Sequence, residues 1–516
     1  MNLDTPILTF KNSGIETKWC LREACQSIFV TGGLGSGKST GSKRLIAAKY
    51  LSMGFSGIIL TAKISERQEW EELAELTGRT KDLIIVTPGG QHQINFLDYE
   101  LKQSIDADGA TDNIVHLLNT VIAAGMDKNN GGNDDSFWIS ALTMLITYSI
   151  EACKLAFGKL KIDDLYRFVQ AIPRAETIAS EYKKYQEEEK KNVSSTQLNP
   201  FFHVLNLAGI KADESIKLYK ETLSPRELLE LENSPRHDLT LEDKVRDWRM
   251  YVLVEEFFTK TYTNLSDKTR SIIDFSFSGF LFHFMREPIY SIFCKDSTFS
   301  PEDTFNGKII IIDLPVKKYH KAGQDAQTLL KLIWQRAVEK RHVTDNSTPL
   351  FLFADESQFF VTSTDTDFQT TARSSKVSVV YITQNLSNFY ANMGGEKSEH
   401  KVKSLLGCFG THIFHNNSDI ETNKYASELI GDALFQESTK SENVGNETVN
   451  LGVNSSYKYE RQLRPEEFSK LRTGGPLNDS KVEGILHCQG NFFPTAKNYQ
   501  RIIFDQKYIP VKQLKH

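Results

Sequence analysis

The sequence predicts an α/β protein whose mostly parallel sheet is interrupted by a long helical segment. Two observations predict it. Near both ends of the chain, short apolar runs alternate with helical patterns, which is typical of a parallel sheet covered by helices. Between them, residues 99–300 carry one helical pattern after another with few strand signals. We therefore predict three segments, 1–98, 99–300 and 301–516, of which the first and last form one sheet.

The N-terminal segment predicts three strands and two helices. Each predicted strand is an apolar run followed by turn residues: 27–30, 54–63 and 81–90. A glycine-rich turn follows the first run, and helical spacing resumes over 41–51. A second helix is predicted over 66–78. It is expected to end at Gly78, because glycine is a common residue at a helix end.

The middle segment predicts four long helices: 112–126, 136–157, 173–191 and 241–260. Pro173 suits the first position of its helix, where the missing N–H costs nothing. The most apolar stretch, 141–157, contains Glu151 and Lys154 and is too short for a bilayer, so no transmembrane segment is expected.

After residue 300 the strand signals return at 307–315, 349–356, 377–385 and 410–416. The first two are nearly continuous apolar runs, as expected for strands buried on both faces. A helix is predicted over 325–341. Residues 435–460, rich in Ser, Asn, Thr and Glu, predict a mobile loop or a hairpin.

The composition excludes several classes of protein. The 516 residues are 25% charged and 40% hydrophobic, which excludes collagen, coiled-coil rods and wholesale disorder. Lys plus Arg number 61 and Asp plus Glu 66, so a uniformly basic surface is excluded, whereas a local basic channel for nucleic acid is not. Six cysteines without a C-x-x-C pair favour neither a disulfide scaffold nor a zinc ribbon, and a cytosolic location fits best.

The most specific motif is G-x-x-x-x-G-K-[ST], which begins at Gly32. Its glycines let backbone N–H groups surround a phosphate, and the following helix directs its N-terminus at the same anion. Lys38 would reach the β and γ phosphates, and the Ser39 hydroxyl would ligate Mg²⁺. No N-K-x-D or T-K-x-D motif is present, so ATP is favoured over GTP. The residues predicted to bind the nucleotide are Gly32, Gly33, Leu34, Gly35, Ser36, Gly37, Lys38, Ser39 and Thr40.

A P-loop also requires an acid at the end of a neighbouring buried strand. Asp313 ends one such run, and Asp355 with Glu356 ends another. The pair is the stronger candidate because its two acids can have different roles. Asp355 would hold Mg²⁺ through water, and Glu356 would polarise the attacking water as general base. Asp313 is better explained as the end of an adjacent strand.

Two more residues complete the predicted catalytic set. Gln384 ends the strand after the Asp-Glu strand, where an amide can sense the γ-phosphate or orient the water; a polar strand terminus is the alternative. Arg373 precedes that strand, and γ-phosphate cleavage gains strongly from an arginine supplied by a neighbouring subunit. A surface ion-pair residue is the alternative for Arg373.

Several segments occur in an order that is specific as a set: the P-loop, TAKISE, INFLDYE, FWISALTMLI, IIIIDLP, FLFADESQFF, ARSSKVSVVYITQN and GCFGTHIFHNNSDIETNKYASELIG. This order resembles the type IV coupling proteins of conjugation, of the TraD/TraG type, within the FtsK–HerA superfamily. The resemblance covers roughly residues 20–495. It implies a RecA-like P-loop NTPase core split by a large all-α insertion domain. Two features differ from the family: Thr61 stands where an Asp is usual, and the ATPase begins without the usual N-terminal transmembrane helices.

The resemblance also implies a function. Members of the family are ring-forming ATPases, usually hexamers, that couple ATP hydrolysis to the movement of DNA, and sometimes protein, through a secretion channel. The expected partners are single- or double-stranded DNA bound without sequence preference, a relaxase and a membrane-bound secretion component. The expected location is the cytoplasm, peripheral to the inner membrane through a partner. The basic segment 316–324 is one candidate DNA-facing loop, and a solvated surface loop is the alternative.

Two other functions stay open at this stage. One is a DNA-packaging or defence ATPase of a mobile element or virus. The other is an ATP-gated scaffold that recruits a protein substrate with little turnover, in which the helical segment would be the docking module.

Overall fold

A computed structural model describes residues 2–12, 15–103, 107–126, 135–191, 193–194, 197–287, 289–393, 398–444, 449–490 and 493–509. The chain divides into two compact units. The first comprises Met1–Ile85, Pro301–His320 and Trp334–His516, and the second comprises Val86–Ser300 and Lys321–Ile333. The predicted helical insertion, 99–300, lies within the second unit.

The strands are β1 (Pro6–Asn12), β2 (Ile15–Cys20), β3 (Ile28–Thr31), β4 (Ser56–Leu60), β5 (Leu83–Val86), β6 (Ile309–Ile312), β7 (Leu350–Ala354), β8 (Val377–Thr383), β9 (Thr411–Phe414), β10 (Asp432–Val444), β11 (Val449–Arg461), β12 (Lys481–Cys488) and β13 (Tyr499–Asp505). Nine of them form one sheet in the order β13-β12-β9-β3-β8-β7-β4-β6-β5. The pairs among β9, β3, β8, β7, β4 and β6 are parallel, and β12 pairs antiparallel with both β9 and β13. The predicted α/β class with a mostly parallel sheet is confirmed.

The α-helices are α1 (Leu21–Ala24), α2 (Arg44–Ser52), α3 (Glu66–Thr77), α4 (Phe96–Gln103), α5 (Ala107–Met126), α6 (Asp135–Phe157), α7 (Ile162–Gln170), α8 (Ile178–Lys190), α9 (Pro200–Glu221), α10 (Pro225–Glu232), α11 (His237–Lys244), α12 (Arg246–Glu256), α13 (Asp267–Met285), α14 (Tyr290–Phe293), α15 (Val316–Glu339), α16 (Asp365–Ala372), α17 (Leu386–Met393), α18 (Ser398–Leu406), α19 (Ile420–Ile430) and α20 (Pro465–Phe468). Short π-helical turns cover Ser39–Lys43 and Phe257–Tyr262. The predicted stop of α3 is confirmed, since Gly78 adopts a left-handed φ of 75° directly after it.

The sheet is held by a core of large apolar side chains between its strands and the helices on one face. The ring of Phe351 on β7 stacks on Trp70 of α3 at 5.9 Å and on Tyr50 of α2 at 6.1 Å. Every residue of β7 and β8 is buried, which agrees with the continuous apolar sequence of β7. This packing fixes the central strand ends, from which the functional loops emerge.

The second unit has its own core of aromatic side chains. The rings of Phe168, Phe201 and Phe258 contact one another at centroid distances of 5.1–5.7 Å. Aromatic rings bury large areas, and edge-to-face contacts such as Phe168 with Phe258 add to that gain. The unit therefore has a hydrophobic core separate from that of the sheet.

Two predicted helices of this unit are wrong in their bounds. The helix expected from Pro173 begins only at Ile178, because the buried Arg270 guanidinium binds the carbonyls of Ile172 and Pro173 at 2.7 and 2.8 Å. Those carbonyls are then held by a side chain and not by a helical turn. The helix expected over 241–260 is broken between α11 and α12, where the buried Val245 is extended.

The C-terminal half contains further differences from the predictions. The basic segment 316–324 is not a loop: it lies in α15, interrupted only where His320 adopts a positive φ of 49°. Of the two alternatives for 435–460, the hairpin is correct, formed by β10 and β11. Strands β12 and β13 were missed. Glu483, Gly484 and His487 interrupt the apolar pattern of β12, which forms a strand by pairing with β13 over Lys481–His487 and with β9 over Ile485–Cys488.

Within the described ranges, no single helix is both long enough and apolar enough to cross a membrane. One pair, Ser140–Phe157 with Ile162–Gln170, satisfies the length and composition only jointly, and the two helices are bent by 116°.

A buried histidine predicts how stability responds to acid. Burial lowers the pKa of His412 on β9 from the usual 6.5 to about 3, so the folded protein keeps this imidazole neutral. The unfolded chain takes up the proton below about pH 6.5, and stability is therefore lost as the pH falls, by at most about 1.4 kcal/mol per pH unit for this group. In urea unfolding at several pH values between 6.5 and 4.5, His412→Gln should flatten the slope of unfolding free energy against pH.

The exposed His400 provides the matched control. His400→Gln should leave that slope unchanged. Equal slopes for His412→Gln and the native protein would contradict the prediction.

Candidate nucleotide-binding site

The candidate site lies where three neighbouring parallel strands end. The loop 32–40 follows β3, Gln384 follows β8, and Asp355 with Glu356 follows β7, and the sheet order places these strands side by side. In open α/β sheets, ligands bind beyond the carboxyl ends of the strands. Residues from distant parts of the chain thus meet at one edge of the sheet.

The loop after β3 has the backbone of a phosphate cradle. Gly35 and Gly37 adopt positive φ values of 71° and 81°, which other residues adopt only with strain. The loop is anchored by its first two amides: Gly32 N–H donates to the carbonyl of Gln384 at 3.3 Å, and Gly33 N–H to that of Asn416 at 2.8 Å. It leads directly into the π-helical turn and α2, so a helix N-terminus faces the cradle.

The predicted binding residues differ in exposure. Gly32, Ser36 and Lys38 are buried, Gly33, Gly37 and Ser39 are half-buried, and Leu34, Gly35 and Thr40 are exposed. Burial lowers the pKa of Lys38, although the negative charges of Asp355 and Glu356 oppose that effect. An ammonium group that has lost most of its hydration gains strongly when an anion such as a phosphate approaches.

The acidic pair is buried and ionised. Burial alone would raise the pKa of Asp355, but Lys43 and Lys63 outweigh it and lower that pKa to about 2. For Glu356, burial is outweighed by hydrogen bonds from Gln358 and Gln384 and by the charge of Lys63, so its pKa is also lowered. Both groups are therefore carboxylates at neutral pH, as a metal ligand and a general base must be.

Glu356 is held in a strained but well-defined position. It adopts a left-handed conformation with φ 53°, which is uncommon for a residue with a side chain. Its carboxylate accepts hydrogen bonds from Gln358 Nε2 at 3.0 Å and Gln384 Nε2 at 3.1 Å. The structure thus brings Gln384 into contact with Glu356, and strain of this kind is typical of functional sites.

Lys43 and Lys63 are site residues that the sequence analysis missed. Lys43 Nζ lies 3.2 Å from Asp355 Oδ2, and Lys63 Nζ lies 3.3 Å from the same oxygen and 3.2 Å from Glu356 Oε1. Lys63 belongs to the TAKISE segment, whose position in the motif order was a usable signal. Nothing in the sequence marked Lys43, because the π-helical turn that directs it at Asp355 has no sequence signature.

A histidine connects the π-helical turn before α2 to the sheet. His415, directly after β9, donates from Nδ1 to the carbonyl of Glu483 at 2.8 Å, and its Nε2 accepts from the Ser42 hydroxyl at 2.8 Å. Burial lowers its pKa to about 4, so the ring is neutral and places no further positive charge beside Lys38. This contact fixes the helix turn that follows the P-loop.

The other two candidate residues lie apart from this cluster. Asp313, after β6, pairs with Arg67 at 3.0 Å, which agrees with its interpretation as the end of an adjacent strand. Arg373 is exposed and precedes β8, whereas the P-loop lies beyond the opposite ends of the strands. The seven residues of β8 span about 23 Å, so Arg373 does not approach the loop of its own chain.

The residues at the site suit a nucleotide with Mg²⁺. Ser39 and Asp355 provide a hydroxyl and a carboxylate, the hard oxygen ligands that Mg²⁺ takes in proteins.

A Cβ at Gly32 would come within 2.8 Å of the Cβ of His415, so the close approach of the backbone in the cradle requires glycine there.

Comparisons with known proteins identify a family segment and a shared fold. Residues 349–473 match the family model described as the TraM recognition site of TraD and TraG. The fold is that of the bacterial conjugative coupling protein TrwBdeltaN70 in its unbound form, with a TM-score of 0.57 and 14% identity, over 98% of this chain and 90% of that one. TrwB in complex with ADP and Mg²⁺ gives a TM-score of 0.57 and 15% identity over 99% and 92%.

TrwB in complex with the GTP analogue GDPNP gives a TM-score of 0.56 and 14% identity, over 96% of this chain and 88% of that one. The comparison with curated proteins gives no match. The matched segment 349–473 and the shared fold confirm the resemblance to type IV coupling proteins; at these identities the structural likeness concerns the fold.

Two glycines of the loop provide a matched pair of substitutions. A methyl group at Gly37 would overlap the side chain of Val482 and lie 2.8 Å from the Thr473 carbonyl oxygen, whereas one at Gly35 would meet nothing within 4 Å. Both positions have positive φ, so backbone strain is common to both variants. We expect Gly37→Ala to lower the melting temperature several degrees more than Gly35→Ala does, measured by differential scanning fluorimetry. Equal melting temperatures would contradict the close approach of Val482 to the loop.

Proposed function

We propose that the protein is an oligomeric, Mg-ATP-hydrolysing DNA translocase of the coupling-protein type. One observation carries the proposal: the P-loop lysine, an ionised Asp-Glu pair and a glutamine meet at three adjacent strand ends. The coupling-protein fold and the family segment at 349–473 support it.

In this proposal, each residue near the phosphates has one task. The loop amides and Lys38 bind the β and γ phosphates and stabilise the charge that develops on the leaving oxygens. Ser39 and Asp355 would hold Mg²⁺, which would supply neutralisation of the phosphate charge. Glu356 accepts a proton from the attacking water, and its hydrogen bond to Gln384 orients the carboxylate.

Arg373 would act on a neighbouring subunit. Since it lies at the edge of the sheet opposite its own P-loop, it can stabilise a γ-phosphate only across an interface between copies. This assignment implies that the site is complete only in a ring of subunits. We propose six subunits for that ring.

DNA and protein partners belong to the same proposal. DNA would be held without sequence preference, because a translocase must release each phosphate contact that it makes. The family segment at 349–473 is named for recognition of TraM, which supports a relaxosome-type protein, besides a relaxase, as partner. The proposed place of action is the cytoplasmic face of the membrane, through a membrane-bound secretion component.

The name of that segment also favours a second candidate function, an ATP-gated scaffold that recruits a protein with little turnover. ATP turnover of the purified protein with single- and double-stranded DNA, together with imaging by electron cryo-microscopy, separates the two. Stimulation by DNA and a ring support the translocase. If DNA does not stimulate turnover, no ring forms and the protein captures a relaxase only in the presence of ATP, the scaffold function replaces the translocase.

Substitution of the proposed catalytic residues should separate binding from hydrolysis. Glu356→Gln should lower kcat by about 10²–10⁴-fold and retain ATP binding, because the carboxylate acts on water and not on the nucleotide. Lys38→Ala should abolish turnover and weaken binding as well. The measurements are phosphate release and the Kd of a fluorescent ATP analogue, with a GTP analogue in parallel.

Asp313→Asn is the matched control, since it removes the acid of the adjacent strand end. It should leave kcat within about twofold of the native value. A large loss for Asp313→Asn, with none for Glu356→Gln, would reverse the assignment of the acid.

Mixing two inactive variants tests the trans role of Arg373. Arg373→Ala retains its P-loop and Lys38→Ala retains its arginine, so a mixed ring contains some complete sites. We expect each variant alone to be inactive and their mixture to regain turnover. A mixture as inactive as its components would exclude an arginine supplied in trans by this residue.

A further inference from the structure

Lys63 occupies the space between the two carboxylates that the proposed function assigns to metal and water. Its Nζ lies 3.3 Å from Asp355 Oδ2 and 3.2 Å from Glu356 Oε1. The Nζ of Lys43 lies 3.2 Å from the same Asp355 oxygen. One carboxylate oxygen is therefore shared by two ammonium groups.

The two lysines differ in how firmly they are held. The Lys43 side chain is 6% exposed and also pairs with Glu66 at 3.5 Å and Glu69 at 3.0 Å. The Lys63 side chain is 39% exposed, whereas its partners Asp355 and Glu356 are only 2% and 5% exposed. Because separating a buried pair leaves an uncompensated charge, Lys63 stays with these acids until another cation replaces it. Lys63 can then turn to solvent, whereas Lys43, which is buried among three carboxylates, cannot.

The backbone of Lys63 is fixed by hydrogen bonds, whereas its side chain is partly exposed. Glu66 Oε2 accepts the amides of Ala62 at 2.7 Å and Lys63 at 3.4 Å. The carbonyl of Ala62 accepts the amide of Lys317 at 3.0 Å. A rotation of the Lys63 side chain therefore changes the charge at the acids without unfolding the turn after β4.

An ammonium in this position is incompatible with the proposed chemistry. Mg²⁺ requires oxygen ligands at about 2.0–2.1 Å in near-octahedral order, and Glu356 requires a water within hydrogen-bonding reach. The ammonium of Lys63, at hydrogen-bond distance from both acids, takes the place of a water at each of them and repels a cation. Lys63 therefore competes with the water through which Asp355 would hold Mg²⁺ and with the water that Glu356 would activate.

We infer that Lys63 is a positioning residue that closes the site in the absence of nucleotide and swings to solvent when metal and nucleotide bind. The inference rests on the proposed function, because that function assigns Asp355 and Glu356. It adds that closure by Lys63 lowers the metal affinity of the empty site, so that metal and nucleotide bind cooperatively.

The test is a titration of the protein with Mn²⁺, with and without ADP, in which the free ion is measured by electron paramagnetic resonance. Lys63→Met should lower the Kd for Mn²⁺ alone by about tenfold, the sum expected for two weak ion pairs. The Kd for Mn²⁺ with ADP bound should stay unchanged. The factor by which ADP tightens Mn²⁺ binding should then fall by the same amount.

Two variants control for charge and for folding. Lys63→Arg keeps the cation and should behave as the native protein does. Lys317→Met removes another lysine of this unit, whose Nζ lies 5.6 Å from the centre of the Phe359 ring, and should change the Kd for Mn²⁺ by less than about twofold. A merely structural role of Lys63 would weaken metal binding in Lys63→Met and not tighten it.

The outcomes for the two proposals are distinct. An unchanged or weaker Mn²⁺ affinity in Lys63→Met, or an equal gain in Lys317→Met, overturns the inference, even where DNA-stimulated turnover upholds the proposed function. A tenfold gain for Mn²⁺ alone supports closure by Lys63, and it does so even if the turnover measurements contradict translocation.

Discussion

The burial of one ionised carboxylate constrains the rest of this site. Asp355 ends the central strand β7 with only 2% of its surface exposed, and a carboxylate so placed remains charged only beside cations. Lys43, from the turn after the P-loop, and Lys63, from the turn after β4, supply them. Three loops that are distant in sequence are thereby joined by charge at one edge of the sheet. Without these cations the buried charge would have no compensation, so the loops depend on one another.

The order of the strands makes this junction possible. Because β3, β8, β7 and β4 lie side by side and parallel, the segments that follow them emerge at the same edge. The carbonyl of Ala62 after β4 also accepts the amide of Lys317, at the start of α15. One backbone hydrogen bond, between Lys317 and Ala62, thus connects the start of the basic segment to the turn that carries Lys63.

Prediction from the sequence succeeded where local chemistry dictates the result. The loop glycines, the strand runs that end in Asp355 and Gln384, and the end of α3 at Gly78 all follow from local rules. It failed where a distant side chain intervened. Arg270 holds the carbonyls before α8 and delays that helix, and pairing of Ile485–Cys488 with β9 helps to make a strand of a segment whose apolar pattern is interrupted at Glu483 and Gly484. Neither contact has a local signature, because the partners are far apart in the chain.

The sequence by itself determined the fold class, and it predicted the phosphate loop and the acidic pair, because each depends on residue types at fixed spacing. Only the tertiary structure decided which cations hold those acids. Lys43 and Lys63 are ordinary lysines in the sequence, and a π-helical turn and the adjacency of β4 and β7 bring them to Asp355. It also decided that Arg373 lies far from its own loop. Both results are distances between chain segments, and spacing along a sequence does not fix such distances.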